Sequence, residues 1–229
     1  MLQQQLENIL QSLPLLQTAL WLTGLLLVLL IGSLFNRLHP WLPLLAIAGL
    51  MVAAYTATRL PVVGHQPLLG MAQARHFHFF HFVPIASGIL ALWLGWWDKQ
   101  RPWTPLSSAL LVMMVLGAHL MLLAAHALVL YIGIEMLSVG AYMLTAQSLK
   151  KHASEAALKY LVFGGMSAAI MLYGVSLLYG ATGTLFLKEM LSTYWNGDFG
   201  LLGTIGILMF TAGLLFKIAA VPFHIWAPD

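Results

Sequence analysis

The chain has 229 residues, of which 61% are apolar and 7% charged, and its mean hydropathy is +0.89. Ordinary globular proteins carry roughly 25% charged residues, so this composition excludes a water-soluble particle and describes an integral membrane protein. The net charge of +3 comes from ten basic and seven acidic residues scattered through short connections, which form no nucleic-acid patch; the absence of Cys excludes disulfides, Cys-ligated iron–sulfur clusters and zinc, and covalent c-type haem on this chain.

A helix needs about 20 apolar residues to cross the hydrocarbon core. Segments that qualify run, in chain order, from Pro14 to Phe35, Trp41 to Thr58, Phe77 to Trp97, Pro105 to Ala125, Ala127 to Gln147, Glu155 to Gly180 and Gly200 to Val221. Pro105 to Gln147 is nearly unbroken and about twice as long as a bilayer is thick, so a tight turn is expected near His126. No Lys or Arg precedes Arg37, so the first span reads as a retained helix and not as a secretory signal. Arg59, Arg75 and Lys188 fall on the side of the N-terminus, and Arg37, Lys99, Arg101, Lys150 and Lys151 on the other. The excess on the second side places the N-terminus outside and Asp229 inside. The expectation is an all-α, multi-pass membrane protein with about seven transmembrane helices, a single membrane domain over residues 1–229. No connection is long enough for a soluble nucleotide-binding fold.

Glu135, Lys159 and Lys217 lie inside these spans, where a charge costs on the order of 2.5–3.5 kcal/mol on insertion scales. Steps of three and four along the fifth span give Tyr131, Glu135, Ser138, Tyr142 and Thr145, a polar stripe that should face protein or water. Glu135 is then either interhelical hydrogen-bond glue or a proton or ion site. Lys159 has Glu155 one turn before it, which suits an i,i+4 pair with the lysine snorkelling to the interface, or a buried station. The stretch Gly164, Gly165, Ser167, Ala168 and Ala169 allows close helix approach. Lys217 is followed by Pro222, which disrupts a helix around the carbonyl of Ile218, and His224 would share the Lys217 face if the helix ran on. That combination reads either as a hydrated helix break or as the plain end of a span.

Nine His raise the question of haem or metal. His78 and His81, or His119 and His126, could share a face, but His76 to His81 lies among Phe residues at a span rim, where His and aromatic side chains gather at the interface. None is taken as a ligand.

From His119 onward the residues are specific. The runs AHALVLYIGIEMLSVGAYMLTA, SEAALKYLVFGGMSAAIMLYGVSLLYGATGT and GLLFKIAAVPFHIWAPD closely resemble the subunit N family of bacterial NADH-quinone oxidoreductase, the proton-pumping complex I. The first hundred residues agree with it only in hydropathy and span count. The EAALKY opening and LLYGATGT ending of the sixth span favour subunit N over the sister subunits M and L and over Mrp antiporter subunits.

The resemblance implies an antiporter-like fold of inverted repeats, of which this chain would be the first part, and proton-transfer roles for Glu135, Lys159 and Lys217, with His224 near the lysine pathway and the helix broken at Pro222. It implies that NADH, FMN, iron–sulfur clusters and quinone belong to partner subunits, with no cofactor on this chain, and that its partners are the lipid bilayer and other membrane subunits of complex I in a bacterial inner membrane. The family continues beyond the W-x-P-D signature, so the chain is expected to be an N-terminal half. A stand-alone Mrp-type cation/proton antiporter subunit and a haem-binding membrane anchor are the competing readings.

Desolvation favours the neutral amine of a buried Lys, and a nearby carboxylate favours the ammonium. Lys217 is therefore expected to be a switchable proton donor, Glu135 its counter-charge and Lys159 the next station inward. Counting from Lys150 and Lys151 puts Glu135 and Lys159 about 10 Å apart in depth, so water or a moving side chain must bridge them.

Overall fold

The computed structural model of the chain describes residues 2–59, 79–98, 104–147, 151–197 and 199–224. Arg75, His76, His78, Lys99, Arg101, Lys150 and Asp229, which enter the charge count and the His argument, lie outside the described residues. The helices form two compact units, Met1–Ala124 and Ala125–Asp229.

The first unit contains α1 (Leu2–Gly32), α2 (Leu42–Ala57), α3 (Phe82–Trp97) and α4 (Pro105–Leu123), with short 3₁₀ turns at Asn36–Trp41 and Phe79–His81. Pro43 and Pro105 stand in the first turns of α2 and α4, where a missing N–H is no loss and the fixed φ favours the helix. Buried positions recur at helical spacing, as in Thr18, Leu22, Leu25 and Leu29 of α1, and the helices meet where one of them lacks a side chain. Leu25 seats on Gly49, Val115 seats on Gly88, and Trp21 Nε1 donates to the Gly49 carbonyl at 2.9 Å. The opposite faces expose Leu20, Leu27, Val28, Ile31, Trp93 and Leu94, a surface suited to lipid chains.

The second unit contains α5 (Ala127–Ala146), α6 (Lys151–Thr182), α7 (Leu187–Trp195) and α8 (Gly200–Lys217). The turn expected near His126 is present: α4 ends at Leu123, and His126 caps α5 by accepting from the Leu128 N–H at 3.4 Å. The same connection pairs with the loop after α6, Ala127 N–H donating to Leu185 O and Leu187 N–H to Ala125 O, both at 2.9 Å. Helices α6 and α8 pack closely through small residues. A side chain at Gly174 would strike the backbone of Gly206 and Phe210, and Gly213 faces Ser167 and Met171.

Among the described residues, six helices are long and apolar enough to cross a membrane, and Leu16–Gly32 adds a shorter apolar segment. They overlap the segments expected from hydropathy, though α1 starts at Leu2 and α6 at Lys151, ahead of the expected Pro14 and Glu155, and no strand occurs among the described residues. Two further details differ from expectation. The nine-residue α7 lies between the last two spans, unseen by a hydropathy window because Lys188, Glu189, Ser192 and Thr193 interrupt its apolar side, where Met190 is buried. Helix α8 ends at Lys217, four residues before the expected boundary at Val221.

Candidate functional site

The end of α8 is set by the backbone and not directly by Pro222. Ala219 takes a left-handed φ of 52°, Ala219 N–H donates to Phe216 O at 3.1 Å and Ala220 N–H to Leu215 O at 2.9 Å. This is a Schellman motif with alanine where glycine is usual, and it makes Lys217 the last helical residue. Pro222 lies in the turn Val221–His224 that follows and prevents the helix from restarting.

Packing fixes how deep this end lies. Ser167 Oγ donates to Gly213 O at 3.0 Å, so these residues share a level on antiparallel α6 and α8. Lys217 is about 6 Å beyond that level and Lys151 about 24 Å beyond it, so α8 stops about 18 Å short of the start of α6. Helix α6 is about 48 Å long and overhangs a 30 Å core by about 9 Å at each end if centred, so α8 ends within hydrocarbon depth.

At that depth Lys217 Nζ lies 2.9 Å from Glu135 Oε1, with the two side chains 8% and 22% exposed. Its aligned hydrogen bond goes to Ser138 Oγ, also at 2.9 Å, while Ser138 donates to Ile134 O at 3.0 Å. The Glu135 contact is an ion pair by distance, without hydrogen-bond alignment. Glu135 and Ser138 are one turn apart on the polar face of α5, and Tyr131 approaches Glu135 from the preceding turn. The C-terminal end of the α8 dipole adds a negative partial charge beside the ammonium.

The magnitudes balance. Two unit charges 2.9 Å apart at an effective dielectric of 20 attract by about 6 kcal/mol, while burying each ion costs several kcal/mol. The attraction within the pair is therefore of the same order as the cost of burying it.

The structure brings together Glu135, Ser138 and Lys217, and leaves the other expected site residues apart from that cluster. Lys159 Nζ pairs with Glu155 Oε1 at 3.2 Å on a half-exposed surface, with side chains 46% and 57% exposed. His224 is exposed in the turn after α8, because the helix that would have carried it onto the Lys217 face has ended. Tyr142, on the same stripe as Glu135, is buried, with its hydroxyl against Gly164 of α6 and its ring edge-on to Tyr160 at 4.4 Å.

In the first unit, sequence reasoning missed a buried His pair. His81 Nδ1 and His119 Nδ1 are 3.1 Å apart with both side chains fully buried, so one imidazole donates its single Nδ1 hydrogen to the other. The shared face suggested for His119 and His126 does not form, since α4 ends between them. Among the described residues, no three His, Asp or Glu side chains converge as a metal site.

Comparison with known proteins follows this division of the chain. Residues 124–229, the second unit, match the family described as NADH:quinone oxidoreductase/Mrp antiporter, TM. NADH-quinone oxidoreductase subunit N 2 of Rhizobium meliloti is 34% identical over 90% of the chain, and subunit N of Bartonella bacilliformis is 34% identical over 98%. The matches cover 44% and 47% of those proteins, so the chain spans about half the length of these curated relatives. Among solved structures, respiratory complex I from Thermus thermophilus with bound aureothin contains a chain that superposes with a TM-score of 0.75 at 28% identity, covering 93% of this chain and 46% of that one. The chain belongs to the antiporter-like membrane family described as NADH:quinone oxidoreductase/Mrp antiporter, TM, and over most of its length it is similar to NADH-quinone oxidoreductase subunit N.

Proposed function

We propose that this chain forms part of a proton-translocating membrane subunit of a bacterial NADH-quinone oxidoreductase, in which Lys217 is loaded and unloaded with a proton while Glu135 supplies the counter-charge. The observation that carries this reading is the buried Lys217–Glu135–Ser138 cluster where α8 stops at membrane depth. An intramembrane ionisable residue is expensive unless it is paired, and a broken helix at such depth suits a hydrated cavity. Lys159, nearer the Lys151 end, is assigned as the next station, and His224 as a contact for water beyond the break. The chain would serve the enzyme as a translocase subunit, with NADH, FMN, iron–sulfur clusters and quinone handled by partner subunits, other membrane subunits as its neighbours, and the bacterial inner membrane as its location.

A second reading, an Mrp-type cation/proton antiporter subunit, is favoured by the family description, which names both. The test uses the full-length protein in its assembled complex, reconstituted in proteoliposomes. Glu135→Gln and Lys217→Ala are each expected to lower proton pumping by about tenfold or more, a modest share of what a positioned proton-transfer group contributes. Wild-type pumping in both variants would sink the assignment. Cation-dependent proton exchange without NADH oxidation would favour the antiporter.

A further inference from the structure

Lys217 and Glu135 lie deep in the second unit, and the chain's inner-end charges, Glu155 and Lys159, lie on α6 about 12 and 6 Å further along than Lys217 by residue count. Any proton leaving Lys217 toward that end must cross this interval. Tyr142 occupies it. Its hydroxyl presses on Gly164, near the level of Lys217, and Ser138, one turn back on α5, interacts with that hydroxyl while accepting from Lys217 Nζ. On its other side Tyr142 meets Tyr160, which neighbours Lys159 in α6.

We infer that the Tyr142 hydroxyl is the proton-relay group between the Lys217–Glu135 pair and the Lys151 end of the bundle, with Ser138 handing to it and Tyr160 receiving from it. The inference rests on the proposed function above.

The chemistry suits these side chains because a hydroxyl both donates and accepts. The Lys217 ammonium gives a proton to Ser138 Oγ, Ser138 passes its own hydrogen to Tyr142, Tyr142 passes its phenolic hydrogen to Tyr160, and Tyr160 releases its own to water at the Lys151 end; the reverse sequence reloads the amine. Each hydroxyl ends with one hydrogen turned the other way, and Lys217 is left as a neutral amine. No bond other than O–H and N–H changes. Ser138 now points its hydrogen at Ile134 O, so a transfer requires that hydrogen to swing from the backbone to Tyr142. That swing is a natural gate, because Ser138 cannot serve the carbonyl and the phenol at once.

Gly164 supports the assignment. A side chain there would collide with the Tyr142 hydroxyl, whereas the adjacent Gly165 faces open space. The glycine at position 164 is what lets the phenol reach α6.

The experiment compares Tyr142→Phe, Tyr142→His and Gly164→Ala, with Glu135→Gln as reference, in the full-length protein within its assembled complex in proteoliposomes. Phe keeps the ring and its Tyr160 contact but removes the hydroxyl, so it is expected to slow proton pumping on the order of tenfold to a hundredfold and to raise the solvent deuterium isotope effect. His is a poorer mimic of the ring but carries protons, and is expected to pump faster than Phe. Gly164→Ala, which displaces the hydroxyl, should slow pumping in the same direction. A packing role predicts the reverse order, with Phe nearest to wild type. The inference is overturned if Tyr142→Phe pumps like wild type, if His is no better than Phe, or if Phe prevents assembly, since that would make the hydroxyl a structural group. Loss of pumping in Glu135→Gln with normal pumping in Tyr142→Phe removes only this inference. The converse removes the proposed function, and normal pumping in both removes both.

Discussion

At the scale of single residues, the polar groups that matter most here, Lys217 and His119, meet their partners on other elements. Lys217 and Glu135 illustrate why the pairing was legible in the sequence: two charges in apolar helices without a partner would each cost several kcal/mol, so some mutual arrangement had to exist. The polar stripe on α5 also pointed to Ser138 and Tyr142, though nothing in the spacing said that Ser138 would take the aligned hydrogen bond from Lys217. The pair His81–His119 was not legible, because its members are 38 positions apart and His81 sits at a span rim, where an interfacial His needs no partner. Its contribution can be measured. Replacing His119 with Leu takes away the Nδ1 partner of His81 and should destabilise the full-length protein by about 1–3 kcal/mol, whereas His81→Leu combined with His119→Leu should cost less than the sum of the single changes. Thermal denaturation in detergent gives the cycle, and additive losses would show that the two rings do not depend on each other.

At the scale of elements, hydropathy located the spans, but backbone chemistry set where they stop. Pro222 gave the correct neighbourhood for the break, yet α8 ends through a Schellman motif at Ala219, a position where the sequence offers no glycine to mark it. Alanine in the left-handed region carries a penalty of roughly 1–2 kcal/mol, partly offset for glycine by its greater freedom when unfolded. Ala219→Gly is therefore expected to stabilise the protein by about 0.5–1 kcal/mol and Ala219→Val to destabilise it, because a β-branched side chain tolerates positive φ poorly. A shift of the thermal midpoint in opposite directions for the two variants checks this; a loss in both would mean that Ala219 is held by its side-chain surroundings. Proton pumping in Ala219→Gly should persist, since the motif that ends α8 at Lys217 is preserved. Helix α7 escaped detection for the opposite reason: at nine residues it is too short for a span and too mixed in polarity for a hydropathy window, and only its buried Met190 reveals an apolar side.

At the scale of the whole molecule, the two units differ in kind. The apolar segment Leu16–Gly32 of α1 and helices α2, α3 and α4 contain no Asp, Glu, Lys or Arg, whereas α5, α6 and α8 of the second unit contain Glu135, Lys159 and Lys217. The family match falls on the second unit, so the residues that made the sequence specific are those that gather charge. The order of helices also bears on orientation. Within the second unit, the start of α5 and the loop after α6 meet through paired backbone hydrogen bonds, so these connections share one end of that unit, as alternate crossings require. From the count of Lys and Arg in the sequence, that end is expected outside, on the side of the N-terminus. Single cysteines can test this, because the native chain has none to react in the background. Leu34, in the turn after α1, and Thr58, which ends α2, are both exposed and lie on either side of the α2 span, so in the full-length protein with no other cysteine they report the two faces of the membrane. In intact cells whose outer membrane has been made permeable, a charged maleimide should label Thr58→Cys, and should reach Leu34→Cys only after the inner membrane is opened. The reverse pattern would invert the topology. It would place the Lys151 end of α6 outside, so the Tyr142–Tyr160 relay would be the exit route from Lys217 to the outside and not the entry route to it from within the cell.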